Sequence, residues 1–179
     1  MQKVLRYLAF FVLLILIIAI DSAFLPALGG YFAQINIALV VGLFLVVIVN
    51  EKVALLVYLL GSLISVLTTF SMTITPILIG GAVLIFVNWL FESFFTNRSY
   101  YTLIALGLIG WIIYYLSFIV VVVSVGLFNS DLLRPDITSA WVVGIAISGI
   151  ISVLFWTLGY VLTNYMSIRF KSYFIVPNR

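Results

Sequence analysis

The residues able to do chemistry in this chain are few and far apart. There are five acids, Asp21, Glu51, Glu92, Asp131 and Asp136, and eight bases, with neither cysteine nor histidine. Without a thiol or an imidazole there is no disulfide scaffold, no thiol nucleophile, no Ser-His or Cys-His pair and no His- or Cys-based metal site. Asp131 and Asp136 are close in sequence, but a polar loop offers nothing to hold two carboxyls together as an acid–base dyad. No phosphate-cradling glycine loop, paired metal motif or cofactor box is found. The expectation is a non-enzymatic chain with no cofactor, no metal and no nucleic-acid partner.

The remaining polar residues fit helix contacts better than catalysis. Glu92 is the only acid inside an apolar run. It reads as a carboxylate at headgroup level that pairs with Arg98, with a buried contact to a partner helix or a ligand as the alternative. Asn88, four residues earlier, lies on the same helix face. A buried amide needs a hydrogen-bond partner, so Asn88 is expected to face another helix. Asn36, near Gln34, Pro26 and Asp21, reads as a cap or loop residue. Gly144, Ser148 and Ser152 recur every four residues, and Gly61, Ser62 and Ser65 form a second small-residue group. Such spacing lets helix backbones approach closely. The candidate interaction residues are therefore Asn36, Ser65, Asn88, Glu92, Gly144 and Ser148. Trp111, Trp141, Trp156, Tyr100, Tyr101, Tyr114 and Tyr115 read as belt or packing residues.

The elements that must position these residues follow from composition. Of 179 residues, 66% are apolar and 7% charged, and the mean hydropathy is +1.39. A soluble domain is roughly 45–50% apolar and about 25% charged. The chain is thus expected to be an all-α integral membrane protein forming a single transmembrane domain over 1–179. A spanning helix needs about 20 apolar residues, and the runs divide into spans at about 4–20, 27–49, 53–68, 77–95, 100–128 and 139–164. The segment Asp21–Pro26 reads as a break set by a charge and a proline. The second span is the weakest, with a clean core only over Ile37–Val49. Span 5 is longer than one crossing requires and is expected to tilt. Its preceding turn, Thr96–Ser99, suits a helix cap. The apolar runs are continuous rather than alternating, which excludes a β-barrel. The N-terminal stretch resembles a signal peptide but is read as an anchor, because further spans follow.

Charge sets the orientation. With six spans, Lys3, Arg6, Lys52, Arg98, Arg169, Lys171 and Arg179 share one face, and Arg134 alone lies opposite. Cytoplasmic loops carry the excess of Lys and Arg, so both termini are expected on the cytoplasmic side. Dropping the second span would scatter the same charges over both faces. The bases stand singly at segment ends, where they anchor to lipid headgroups.

The layout of short loops, about 180 residues and inward termini resembles the rod shape-determining MreD family. Ile35-Asn36-Ile37-Ala38-Leu39-Val40 resembles that family's Pro/Leu/Asn-rich start of the second span. Gly61-Ser62-Leu63-Ile64-Ser65 falls where the family has a glycine-rich third span ending in Asp, so that Ser65 occupies the acidic position. Phe95-Thr96-Asn97-Arg98-Ser99-Tyr100 resembles its turn between spans four and five. The resemblance implies a non-enzymatic scaffold of the cell-wall elongation machinery, partnered by an MreC-like bitopic protein. A second resemblance is to the substrate-capture subunits of energy-coupling-factor vitamin transporters, which are also six-span proteins of this size. Ala19-Ile20-Asp21-Ser22-Ala23 and Ala23-Phe24-Leu25-Pro26-Ala27 have the Ala-x-x-x-Ala spacing with which those subunits dock. On that alternative Asp21, Asn36, Thr73, Thr75 and Asp131 would face a ligand.

Overall fold

Long apolar runs with few prolines leave the backbone of this chain one way to satisfy its amides away from water, which is helix. The computed structural model describes residues 20–28, 35–69, 74–95, 98–128 and 139–169, with single positions at 12, 15–17, 19 and 32. Among the described residues every regular element is helical and there is no strand. A π-helical turn, Ile20–Phe24, runs into the short helix α1, Leu25–Leu28. Five longer helices follow: α2 (Ile37–Ile48), α3 (Glu51–Thr69), α4 (Thr75–Phe94), α5 (Tyr100–Phe128) and α6 (Ser139–Arg169).

Two expected boundaries change. The chain does not break over Asp21–Pro26 but stays helical, with the Leu25 amide reaching back to the Ile20 carbonyl in the wide π pattern. Pro26 has no amide to donate, and near the start of α1 none is required. The second apolar segment is not one helix over 27–49. Asn36 is extended and its side-chain oxygen accepts from the Leu39 amide at 2.8 Å, so α2 starts at Ile37. Twelve residues at about 1.5 Å each reach about 18 Å, short of the ~30 Å hydrocarbon core. The other described ends fall within two residues of expectation, except that α6 continues five residues past Asn164 to Arg169; the start of the expected first span lies outside the described residues.

α2 is apolar all round, the composition of a helix enclosed on every side. Every residue from Ile37 to Val47 is buried, and α3, α4, α5 and α6 all pack on it. The Val49–Asn50 turn returns the chain as α3, whose Lys52 amide is capped by the Asn50 side chain at 2.9 Å. Pro76 stands in the first turn of α4. Ser99 caps α5, accepting from the Thr102 amide at 3.2 Å. That serine belongs to the hydroxyl-rich turn expected to cap; Thr96 and Asn97 lie outside the described residues.

Small residues set the helix spacing. A Cβ on Gly80 of α4 would fall on the Tyr58 hydroxyl of α3, and one on Gly107 of α5 would meet the Trp156 ring of α6 at 2.7 Å. The outer faces carry large apolar side chains, including Leu78, Ile150 and Leu158, each more than 60% exposed. Water does not tolerate such a continuous apolar surface on a monomer; hydrocarbon does.

Candidate functional site

The densest polar cluster forms where the π turn meets the N-terminus of α2, the second half of α3 and the middle of α5. The Asp21 carboxyl is partly buried there. Its Oδ1 accepts from the Ile37 amide at 3.1 Å, and its Oδ2 accepts from the Ser65 hydroxyl at 2.9 Å. Asn36 uses its oxygen as the α2 cap and donates its Nδ2 to the Tyr114 hydroxyl at 3.2 Å. Asp21 and Asn36 thus satisfy two of the first amides of α2, which have no partner inside the helix.

Tyr58 extends the cluster along α3. Its hydroxyl donates to the Pro76 carbonyl at 2.7 Å, and Ser62, Asn36, Asp21 and Tyr114 surround it. Ser62, between Tyr58 and Ser65 on the same face of α3, is buried and faces the Tyr58 hydroxyl. A second branch runs through α5 and α6. The Ser148 hydroxyl accepts from the Trp111 indole at 3.0 Å and shares a bond with the Tyr115 hydroxyl at 3.0 Å. The rings of Tyr114 and Tyr115 meet edge to face at 5.2 Å and join the branches.

Asp21 lies just beyond the end of the first apolar run. Withdrawal from solvent raises its carboxyl above the ordinary Asp value, and the bonds from Ser65 and Ile37 pull it partly back.

The second polar contact lies at the opposite end of α3. Asn88 of α4 donates to Glu51 Oε2 at 2.9 Å. Asn88 does face another helix, but its partner is an acid at the start of α3. Glu92, one turn on, is exposed. Arg98 donates to the Ile48 carbonyl at the end of α2 at 2.9 Å.

Of the residues singled out in sequence, Asp21, Asn36 and Ser65 come together. Asn88, Gly144 and Ser148 turn inward in separate places. Thr75 opens α4 and is partly buried. Thr73 and Asp131 lie outside the described residues. Sequence reading missed Tyr58, took Ser62 as a small packing residue and assigned Tyr114 to packing. A tyrosine in the middle of an apolar run was the available signal, because a buried hydroxyl must find a partner.

An open groove of about 380 Å³ runs along α6, lined by Trp111, Ala146, Gly149, Ile150, Val153 and Leu154. It offers shape but almost no polar group to orient a ligand. Among the described residues no group of three or more acids, histidines or cysteines gathers as a metal site would require.

The fold defines a class. Thr75–Phe94, Tyr100–Ser124 and Val142–Tyr165 are each long and apolar enough to cross a membrane, which marks an all-helical membrane protein. No protein-family model, curated protein or solved structure matches this chain.

Proposed function

We propose that this protein is a non-enzymatic membrane scaffold that acts by docking other membrane proteins. One observation carries the proposal: the polar side chains that could have recognised a ligand bond to the chain's own helices. Asp21 and Asn36 hold the start of α2, Ser65 holds Asp21, Asn88 holds Glu51, and Ser148 holds Trp111 and Tyr115. Buried polar groups used in this way stabilise one helix arrangement. The outer faces are left apolar, with small residues in the α6 groove.

The resemblance to the rod shape-determining MreD family supplies the setting. On this proposal the protein spans a bacterial cytoplasmic membrane six times with both termini inside. It belongs to the cell-wall elongation machinery beside an MreC-like partner. The first apolar run and α2 supply two of the crossings. The enclosure of α2 by α3, α4, α5 and α6 supports its place inside the bundle.

The test is purification of the tagged chain from its host in mild detergent, with co-purifying proteins read by mass spectrometry. An MreC-like protein or the wall-elongation synthases supports the scaffold. A transmembrane coupling protein with paired ATPases overturns it in favour of a substrate-capture subunit, with Asp21 and Asn36 as ligand-facing residues. Labelling of single cysteines tests the topology; because the chain has no cysteine of its own, no background thiol interferes. Cysteines replacing Lys52 and Arg98 should both react only from the cytoplasmic side.

A further inference from the structure

The Asp21 carboxyl raises a question that scaffolding leaves open: what compensates its charge. The described bases with placed side chains are remote. Lys52 opens α3, thirteen residues before Ser65, or about 20 Å along the helix. Arg98 is held at the Ile48 carbonyl, the far end of α2 from Asp21. Among the described residues, the titratable groups that face Asp21 are phenols: Tyr58 from α3, and Tyr114 and Tyr115 from α5; Lys3, Arg6 and Arg134 lie outside the described residues. The α2 residues beside it are the Asn36 amide and an apolar run. A carboxylate withdrawn from water without a cation is costly, and a neutral acid is the ordinary remedy.

The hydrogen bonds accommodate both forms. Ionised, Asp21 accepts from the Ile37 amide and the Ser65 hydroxyl. Neutral, Oδ1 still accepts from Ile37, while an Oδ2–H donates to Ser65 Oγ at the same 2.9 Å. The helix N-terminus and both donors favour the anion; removal from water favours the acid. The carboxyl is only partly buried by the described chain. It also sits inside a π-helical turn, a local geometry frequent at functional sites.

We propose that Asp21 is a proton-binding site that latches the π turn onto α2 and α3. Protonated, the carboxyl docks without buried charge. Deprotonated, it draws water, and the contact between the π turn and the start of α2 loosens. The latch is independent of the scaffold reading, and its tests involve no partner protein.

The first test is infrared spectroscopy of the purified protein during a pH titration. With five acidic side chains in the chain, single substitutions assign the protonated-carboxyl C=O bands. The band lost in Asp21→Asn is expected to titrate above the ordinary Asp value of 3.8. A midpoint at or below that value overturns the proposal.

The second test reads the latch with a cysteine replacing Leu25, which is buried one turn after Asp21. Its maleimide labelling rate is divided by that of the same cysteine in the Asp21→Asn background at the same pH, which cancels intrinsic thiol reactivity. The ratio should rise as Asp21 deprotonates, and a ratio flat with pH sinks the latch. If the cysteine at position 25 prevents folding, one at Ile17, also buried, gives the same readout.

Discussion

The indole of Trp156 donates to the backbone carbonyl of Val40 at 2.9 Å, across 116 residues of sequence. Trp156 is fully buried, and its ring lies where a side chain on Gly107 would otherwise be. One residue of α6 therefore grips the central helix by its backbone and sets the distance to α5.

That grip should be measurable by replacement. Trp156→Phe removes the indole donor and opens space, so thermal unfolding in detergent should show a loss of about 1–3 kcal/mol. Gly107→Ala should also destabilise, because its new methyl meets the ring at 2.7 Å. In a Trp156→Phe background the same alanine should cost less. Strict additivity of the two substitutions would mean that the contact does not set the α5–α6 spacing.

Asp21 should tie stability to pH with a definite sign. Its carboxyl is raised from the ordinary 3.8, so the folded protein holds the proton more tightly than the unfolded chain does. Stability from this group is full below the ordinary value and declines as pH rises through the raised one. Melting temperatures of wild type should fall over that window relative to Asp21→Asn. Parallel curves for the two proteins would contradict the assignment.

The Asn88–Glu51 contact should behave as a single interhelical hydrogen bond. Asn88→Ala is expected to cost about 0.6–1.7 kcal/mol, the range for such bonds between membrane helices. Asn88→Asp places a second carboxylate 2.9 Å from Glu51 and should cost more at neutral pH, with Glu51→Gln restoring part of the loss. Glu92→Gln, on an exposed side chain, should leave the melting temperature unchanged.

Ser148 is only 1% exposed and serves two partners at once. Ser148→Ala should leave the Trp111 indole and the Tyr115 hydroxyl without it, at a cost of about 1–3 kcal/mol. Asp or Lys at Gly144 or Ser148 should prevent assembly of the bundle, because both positions face inward. Normal expression and melting of the Ser148→Asp protein would show that this face of α6 is not packed as described.

Helix ends were readable because they depend on local chemistry. Ser99, Pro76 and Asn50 mark starts that any neighbouring helix would leave in place. The pairing of Asn88 was readable in kind but not in partner, since periodicity tells which face a residue occupies and not what lies across from it. The continuity of helix through Asp21–Pro26 was not readable. A charge and a proline argue for a break, and only the Ile37 amide and Ser65, brought from 16 and 44 residues away, offer the carboxyl partners inside a helical turn.

Composition alone determined that the chain is helical and membrane-bound, because 66% apolar and 7% charged residues leave no surface for water and no way but helix to satisfy the backbone in lipid. Tertiary structure decided which helix is central and which polar groups meet. α2 and α5 are both uniformly apolar, yet packing encloses the 12-residue helix and leaves one side of the 29-residue helix outside. Asp21, Asn36, Ser65 and Tyr114 belong to four separate elements, and a hydrogen bond between them exists only once those elements pack.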